Sequence, residues 1–147
     1  MLTVAGYELD PALAYHRDSH LWVADLGDGR ARVGFDPLGA ETSGDIVAVS
    51  FAQTGARLSA GDTLAIVEAA KFVGPLAAPL GGRLDAVNDA VLDTPGLINR
   101  DPFGAWMVEL DEVPAVDLTC LIRGADEITT WFQDAARRFR AEGAIAE

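Results

Sequence analysis

The chain carries one cysteine in 147 residues, Cys120. That excludes an intramolecular disulfide and any metal site built from several cysteines, and it fits a reducing compartment. Positive charge is also scarce: 11 Lys and Arg face 23 Asp and Glu, a formal charge of −12. Such a surface repels a phosphate backbone or an anionic bilayer, so neither nucleic acid nor membrane is an expected partner. No uncharged apolar run approaches the roughly 20 residues that cross a bilayer. Met1 to Asp10 show no basic start and no long apolar stretch, so no secretory signal or transit peptide is expected, and the expected location is the cytoplasm. His16 and His20 are the only imidazoles, with no cluster of further ligands around them in sequence, so no metal site is expected. Scarcest beside cysteine is lysine: Lys71 stands alone among the basic residues, the others all being arginine. A genome favouring arginine codons explains the scarcity but not the position.

What is present is apolar content enough for one domain with its own core, hydrophobic residues making up 50% of the chain. Short β-rich runs broken by Gly, Pro, Asp and Asn predict strands at His20–Leu26, Arg30–Phe35, Asp45–Phe51, Thr63–Glu68, Phe72–Ala77, Arg83–Asn88 and Ala105–Leu110. Gly27-Asp28-Gly29 reads as a hairpin turn, because glycine and aspartate tolerate the positive φ it demands. Asp36-Pro37 and Thr94-Pro95 each place a capping side chain before a proline, which predicts two short helical turns. From Asp126 to Arg140 the apolar period changes to helical, with Ile128, Trp131, Phe132, Ala135, Ala136 and Phe139 on one face. This predicts an amphipathic C-terminal helix at about 126–140 packed on a β core, with Pro114 to Asp117 as the connector. A glycine, branched-apolar and valine spacing recurs at Gly44-Asp45-Ile46 with Val49 and at Gly82-Arg83-Leu84 with Val87, a weak echo of two similar strands.

Lys71 lies between the two copies. Around it, the runs Thr63 to Val67 and Phe72 to Ala77 flank Glu68-Ala69-Ala70-Lys71, a pattern that folds as a hairpin. A charged residue at its tip stays hydrated and costs little. A lysine on a turn is in most proteins a plain surface residue. This one is marked by being the sole lysine, by Glu68 three residues before it, and by Ala78-Pro79-Leu80-Gly81-Gly82 opening the next strand.

The run Val67-Glu68-Ala69-Ala70-Lys71 with Ala78-Pro79-Leu80-Gly81-Gly82 and Val87-Asn88 resembles the lipoyl and biotinyl carrier domains, whose hairpin lysine is acylated by the cofactor. His20-Leu21-Trp22-Val23, Val33-Gly34-Phe35, Gly44-Asp45-Ile46-Val47 and the segment from Asp93 through Asn99-Arg100-Asp101-Pro102-Phe103-Gly104 to Trp106 are similar to the H protein of the glycine cleavage system, over about His16 to Leu110. The resemblance implies a mainly β barrel-sandwich hybrid of two small antiparallel sheets, in one domain spanning 1–147 with its core at about 16–110. It implies lipoate as the cofactor, amide-linked to Lys71, and Glu68 as a recognition feature for the attaching enzyme. That amide removes a charge and hangs a dithiolane on a swinging arm, which tethering concentrates at a docked partner. The chain is then a carrier and not an enzyme, and no nucleophile and base pair emerges at motif spacing. Its implied partners are a lipoate–protein ligase or lipoyl transferase, dihydrolipoyl dehydrogenase, glycine decarboxylase and aminomethyltransferase.

The sequence also departs from that family. Glu68-Ala69-Ala70-Lys71 is followed by Phe72-Val73-Gly74-Pro75, an apolar tail where the family has small or polar residues, and the Trp131-Phe132 helix is unlike the usual ending. An H-like branch of lipoate-binding proteins serves a heterodisulfide-reductase-like complex of sulfur oxidation, and a dithiol accepts sulfur as readily as an aminomethyl group. Both cargoes are open on the sequence. A biotin carrier would usually have methionines beside the lysine, where Ala70 and Phe72 stand; an unmodified β interaction module is the remaining alternative. Of the lesser residues, His20 reads as a structural hydrogen-bonding group, Pro79 and Gly82 as turn makers, and Cys120 as a small buried hydrophobe.

Overall fold

A hairpin built on consecutive left-handed residues opens the main sheet. Strands β4 (Leu21–Gly27) and β5 (Arg30–Phe35) turn through Gly27, Asp28 and Gly29, with φ of 84°, 54° and 74°, as the Gly-Asp-Gly run predicts. The computed structural model of the chain describes residues 1–145. Before this hairpin come β1 (Leu2–Val4), β2 (Tyr7–Leu9) and β3 (Ala14–His16). After it come α1 (Pro37–Ser43), β6 (Ile46–Phe51), β7 (Arg57–Leu58), β8 (Thr63–Ala69), β9 (Val73–Ala77) and β10 (Gly82–Val87). The chain continues through α2 (Asp89–Asp93), α3 (Leu97–Arg100), β11 (Val108–Asp111), α4 (Ala115–Leu118) and α5 (Ala125–Ala141).

Two principal sheets result, both antiparallel. Six strands run in the order β3-β4-β5-β11-β10-β7, three in the order β6-β8-β9, and β1-β2 forms a separate ribbon. The sheets enclose the larger apolar cluster, which includes Val33, Leu64, Val67, Leu84, Met107, Val108 and Leu110, each without exposed surface. Burial of such side chains, about 1.5–3 kcal/mol each, is what holds the two sheets face to face. The two copies of the glycine echo open β6 and β10, one in each sheet, both on left-handed glycines, Gly44 at 75° and Gly82 at 144°.

The sequence's helical stripe at the C-terminus packs as expected for a buried face, but on a second cluster. Trp131, Phe132, Ala135 and Ala136 of α5 meet Val4 and Leu9 of the ribbon, Tyr15, Trp22 and Leu38. Aromatic edges fit together here, Tyr7 against Phe132 at 5.4 Å and Tyr15 against Trp131 at 5.7 Å. No helix among the described residues is long and apolar enough to cross a membrane.

The helical turn expected at Thr94-Pro95 forms as α3, entered through Leu97 N–H donating to Thr94 C=O at 3.0 Å and Ile98 N–H to Pro95 C=O at 3.1 Å, without a side-chain cap. Three local expectations are corrected. A further helix, α2, precedes that turn, and the Asn88 side chain accepts from Ala90 N–H at its start. Asn88 therefore caps a helix where a strand end is predicted. The last strand starts at Val108, because Ala105 N–H is turned back onto Asp101. Cys120 is exposed, in the turn after α4 that occupies part of the predicted connector.

Candidate functional site

Lys71 sits in the turn between β8 and β9. Ala69 N–H donates to Phe72 C=O at 2.8 Å, closing the turn, and Lys71 projects from it exposed. The turn is not free to move, because its backbone is stitched to the junction of α1 and β6. Ala70 N–H donates to Asp45 C=O at 3.0 Å and Lys71 N–H to Ser43 C=O at 2.8 Å. Between those acceptors lies Gly44, left-handed at φ 75°, where a Cβ would come within 3.1 Å of Ala70 Cβ and 3.2 Å of Lys71 Cγ. Only glycine permits both that conformation and that approach.

The junction is itself held from α3. Asn99 Nδ2 donates to Gly44 C=O at 2.9 Å and to Ala40 C=O at 3.4 Å, while its Oδ1 accepts from Ile46 N–H at 2.9 Å. A side-chain amide thus serves both strands of the junction with donor and acceptor at once. Asn99 is the residue whose role sequence reasoning missed. It lay within the Asn-Arg-Asp-Pro-Phe-Gly segment quoted for the resemblance, but its partners are more than fifty positions away in sequence.

Glu68 is exposed on the outer face of β8, opposite Val73 of β9 and Ala48 of β6. The structure therefore brings Glu68 and Lys71 onto one hairpin. Neither takes part in an ion pair among the described residues.

Beside the turn runs a groove of about 270 Å³ between α1, β9 and α5, lined by Phe35, Phe72, Pro75, Leu76 and Phe139, with His20 at its wall. His20 Nδ1 donates to Asp36 Oδ2 at 2.9 Å, and its ring stacks on Trp131 at 4.9 Å and 20°. That hydrogen bond is the structural one expected of His20, whose backbone is left-handed at φ 57°. The fully buried Asp36 uses its other oxygen to cap α1 at Gly39 N–H, 2.8 Å. One carboxylate so fixes both the groove wall and the helix whose end holds the lysine turn. His16 is elsewhere: half-buried, its Nδ1 faces Ser19 Oγ at 2.8 Å, and burial lowers its pKa.

A stapled turn presenting one amine after two alanines can offer that amine to an acylating enzyme while the protein behind it stays still. The family model described as Glycine cleavage H-protein matches residues 13–133, which include the turn, the Asn99 clamp and the first half of α5. The chain belongs to the glycine cleavage H-protein family.

Individual H proteins agree. A glycine cleavage system H protein from Thermoanaerobacter sp. (strain X514) is 38% identical over 105 residues, covering 70% of this chain and 82% of its own length. Glycine cleavage system H protein 2 of Pseudomonas putida is 35% identical over 115 residues, 78% of this chain and 91% of its own. The crystal structure of the H protein from Mycobacterium marinum superposes with a TM-score of 0.69 at 30% identity, covering 83% of this chain and 98% of that one. The barrel-sandwich architecture of the H-protein family is thus the architecture found here.

Proposed function

We propose that this chain is the lipoyl carrier of a glycine cleavage system, with lipoate amide-linked to Lys71 Nζ and residues 1–147 acting as a single domain. The observation that carries the proposal is the exposed Lys71 on a turn whose backbone is tied to Ser43 and Asp45. Names of the relatives support the pathway. The residues fit the group: Nζ is open to an enzyme, the turn adds only alanines in front of it, and apolar Phe72, Pro75 and Leu76 border it. When attached, lipoate supplies a disulfide that can be reduced and loaded.

What the chain's own residues do is hold the pivot. Gly44, Ser43, Asp45 and Asn99 keep the turn in one place, so motion is confined to the arm, and a partner docked on the carrier sees the cargo at high local concentration. Glu68 serves recognition by the attaching enzyme. The acidic surface, −12 overall, steers the carrier to basic faces on its partners. Those partners are a lipoate–protein ligase or lipoyl transferase, glycine decarboxylase, aminomethyltransferase and dihydrolipoyl dehydrogenase, all in the cytoplasm.

The test is direct. Protein incubated with lipoate, ATP and a lipoate–protein ligase should gain one lipoyl increment by intact mass, and Lys71→Arg should gain none while keeping its melting temperature, since a guanidinium is not an acylatable amine. A lipoylated Lys71→Arg protein would sink the attachment site. Lipoylated wild type should then be aminomethylated by glycine decarboxylase with glycine; consistent failure with several such enzymes would sink the cargo and leave the carrier assignment standing.

A further inference from the structure

The span shared with the family leaves residues 1–12 and 134–147 outside it, and the fold packs the ribbon of the first stretch against the end of α5 from the second. Val4 and Leu9 share a cluster with Ala135 and Ala136, and Arg140 Nη2 donates to Ala5 C=O at 2.8 Å. This added layer is fastened to the rest. Tyr7 OH donates to the Glu41 carboxylate of α1, and Phe139 meets the His20 ring edge-on at 5.7 Å.

What the layer shows to solvent differs from the rest of the molecule. On a chain with 23 acidic and 11 basic side chains, a surface patch of average composition is negative. Here Arg137, Arg138 and Arg140 fall within four positions, and Arg17 joins Arg137 and Arg138 in lining a hollow of about 550 Å³. A second hollow, also about 550 Å³, adjoins it through Gln133 and Arg137 and extends between Ala5 and Arg140. Carboxylates are few for this many guanidiniums: Asp134 serves both Arg137, at 3.0 Å, and Arg138, at 3.5 Å. Arg140 Nε is buried without a hydrogen-bond partner. Arginines in a last helical turn offset its dipole, but that end effect accounts neither for Arg17, which lies on another element, nor for the hollows.

We infer that this added layer is the docking surface for an enzyme that works on the far end of the loaded arm, and that this enzyme presents carboxylates to it. The inference rests on the lipoyl-carrier reading. Position selects the occupant. Phe139, between Arg138 and Arg140, walls the groove beside the lysine turn, and Trp131 lines the first hollow while stacking on His20 of the groove wall. A partner seated on the hollows therefore stands beside the pivot with α5 between it and the hairpin. An acylated arm spans that offset, whereas the four methylenes of a bare lysine do not. Charge selects the chemistry. Asp18, Glu127 and Asp134 stand among the arginines of the first hollow, so a free polyanion meets repulsion there, while a protein face can set each carboxylate against a guanidinium. Two copies of a chain at −12 repel one another, and a head-to-tail contact between them does not close, which argues against self-association.

The experiment takes the lipoylated full chain and measures initial rates with glycine decarboxylase, aminomethyltransferase and dihydrolipoyl dehydrogenase as carrier concentration is varied. Arg137→Gln/Arg138→Gln alters side chains 73 and 60% exposed, and melting curves matching wild type establish that its fold is intact. It should raise KM about fivefold or more with at least one of the three enzymes, kcat staying within about twofold, because no reacting atom is touched. With that enzyme the wild-type KM should rise with salt, and more steeply than the variant's. Arg57→Gln/Arg123→Gln removes the same charge elsewhere and should leave every KM unchanged, and both double variants should be lipoylated at the wild-type rate. A layer variant with wild-type KM toward all three enzymes overturns the docking surface and leaves the carrier reading standing. So does an equal loss in the two double variants, which assigns the effect to net charge. Slower lipoylation of the layer variant assigns the face to the attaching enzyme and overturns the inference too. Wild type that sediments as an oligomer, with the layer variant a monomer, assigns it to a second copy with the same result. Wild type that gains no lipoyl mass, or that none of the three enzymes turns over, overturns both readings.

Discussion

Replacing Asn99 by alanine tests whether the lysine turn is held from a distance. The variant loses three hydrogen bonds at 2.9, 2.9 and 3.4 Å. The longest weighs least. Ile46 is 3% exposed, so its N–H is left without protein partner or ready access to water, at about 1–3 kcal/mol. Gly44 C=O is half-buried and recovers part of its loss from solvent, adding about 1 kcal/mol. The sum is about 2–4 kcal/mol, which in a domain of this size lowers Tm by roughly 5–12 °C. Local consequences are more diagnostic than the global one. Ala70 and Lys71 donate to the carbonyls of Asp45 and Ser43, on either side of Gly44, so their amides should exchange faster in the variant by more than its global destabilisation accounts for. Asn99→Asp, which keeps the acceptor for Ile46 and discards the donors, should fall between. Calorimetry and hydrogen exchange followed by NMR read both effects. A Tm within about 2 °C of wild type, or Ala70 and Lys71 amides that exchange as before, would refute the clamp.

Gly34→Ala should cost about 1–3 kcal/mol or more by overpacking, because an added Cβ overlaps the indole of Trp22, itself pinned by its N–H to Pro102 C=O at 3.0 Å; the melt and the tryptophan emission should both shift, and unchanged spectra would contradict the contact. Glu109 is held below the ordinary carboxylate range first by its hydrogen bond from Arg30, with Arg32 adding to it. A depressed folded-state pKa gives stability that is present above the unfolded value of about 4.3 and lost as pH falls through the folded one. Glu109→Gln should therefore be less stable than wild type at neutral pH and approach it in acid; a gap that stays constant from pH 7 to 3 in urea titrations would count against the pairing. Cys120 should react with a thiol reagent in the native protein as readily as an unstructured thiol, and Cys120→Ser should leave Tm within about 1 °C, since the exposed side chain makes only a 3.6 Å contact to Val116 C=O.

Legibility in the sequence followed the range of the forces involved. The hairpin at Gly27-Asp28-Gly29, the Asp36 cap and the α5 stripe each depend on neighbours within a few positions, and each stands where the pattern predicts. The strands around Lys71 were legible for the same reason. Strands β1, β2 and β3 have three residues each, too few for a period-two pattern to show. Thr94-Pro95 opens a helical turn, α3, as its pattern predicts, whereas α2 before it, capped by Asn88, has five residues, too few for a helical period to show. Cys120 belongs to a residue type that is usually buried, but α4 and its turn lie on the surface. The site divides the same way: Lys71 and Glu68 could be named from composition and motif, whereas the Asn99 clamp, the pairing of His20 with Asp36 and the Phe139 wall of the groove join segments that only folding brings together.

The ribbon β1-β2 and the helix α5 cover one another, and this has a bearing on how the protein is born. Residues 2–9 leave the ribosome well over a hundred positions before α5 is made, so Val4 and Leu9 have no lid during most of synthesis. The inter-sheet core, whose last member is Leu121, can settle first. The lysine turn is thus in place while the groove beside it still lacks Phe139, and the final turns of α5 finish its wall as they latch the chain's beginning to its end.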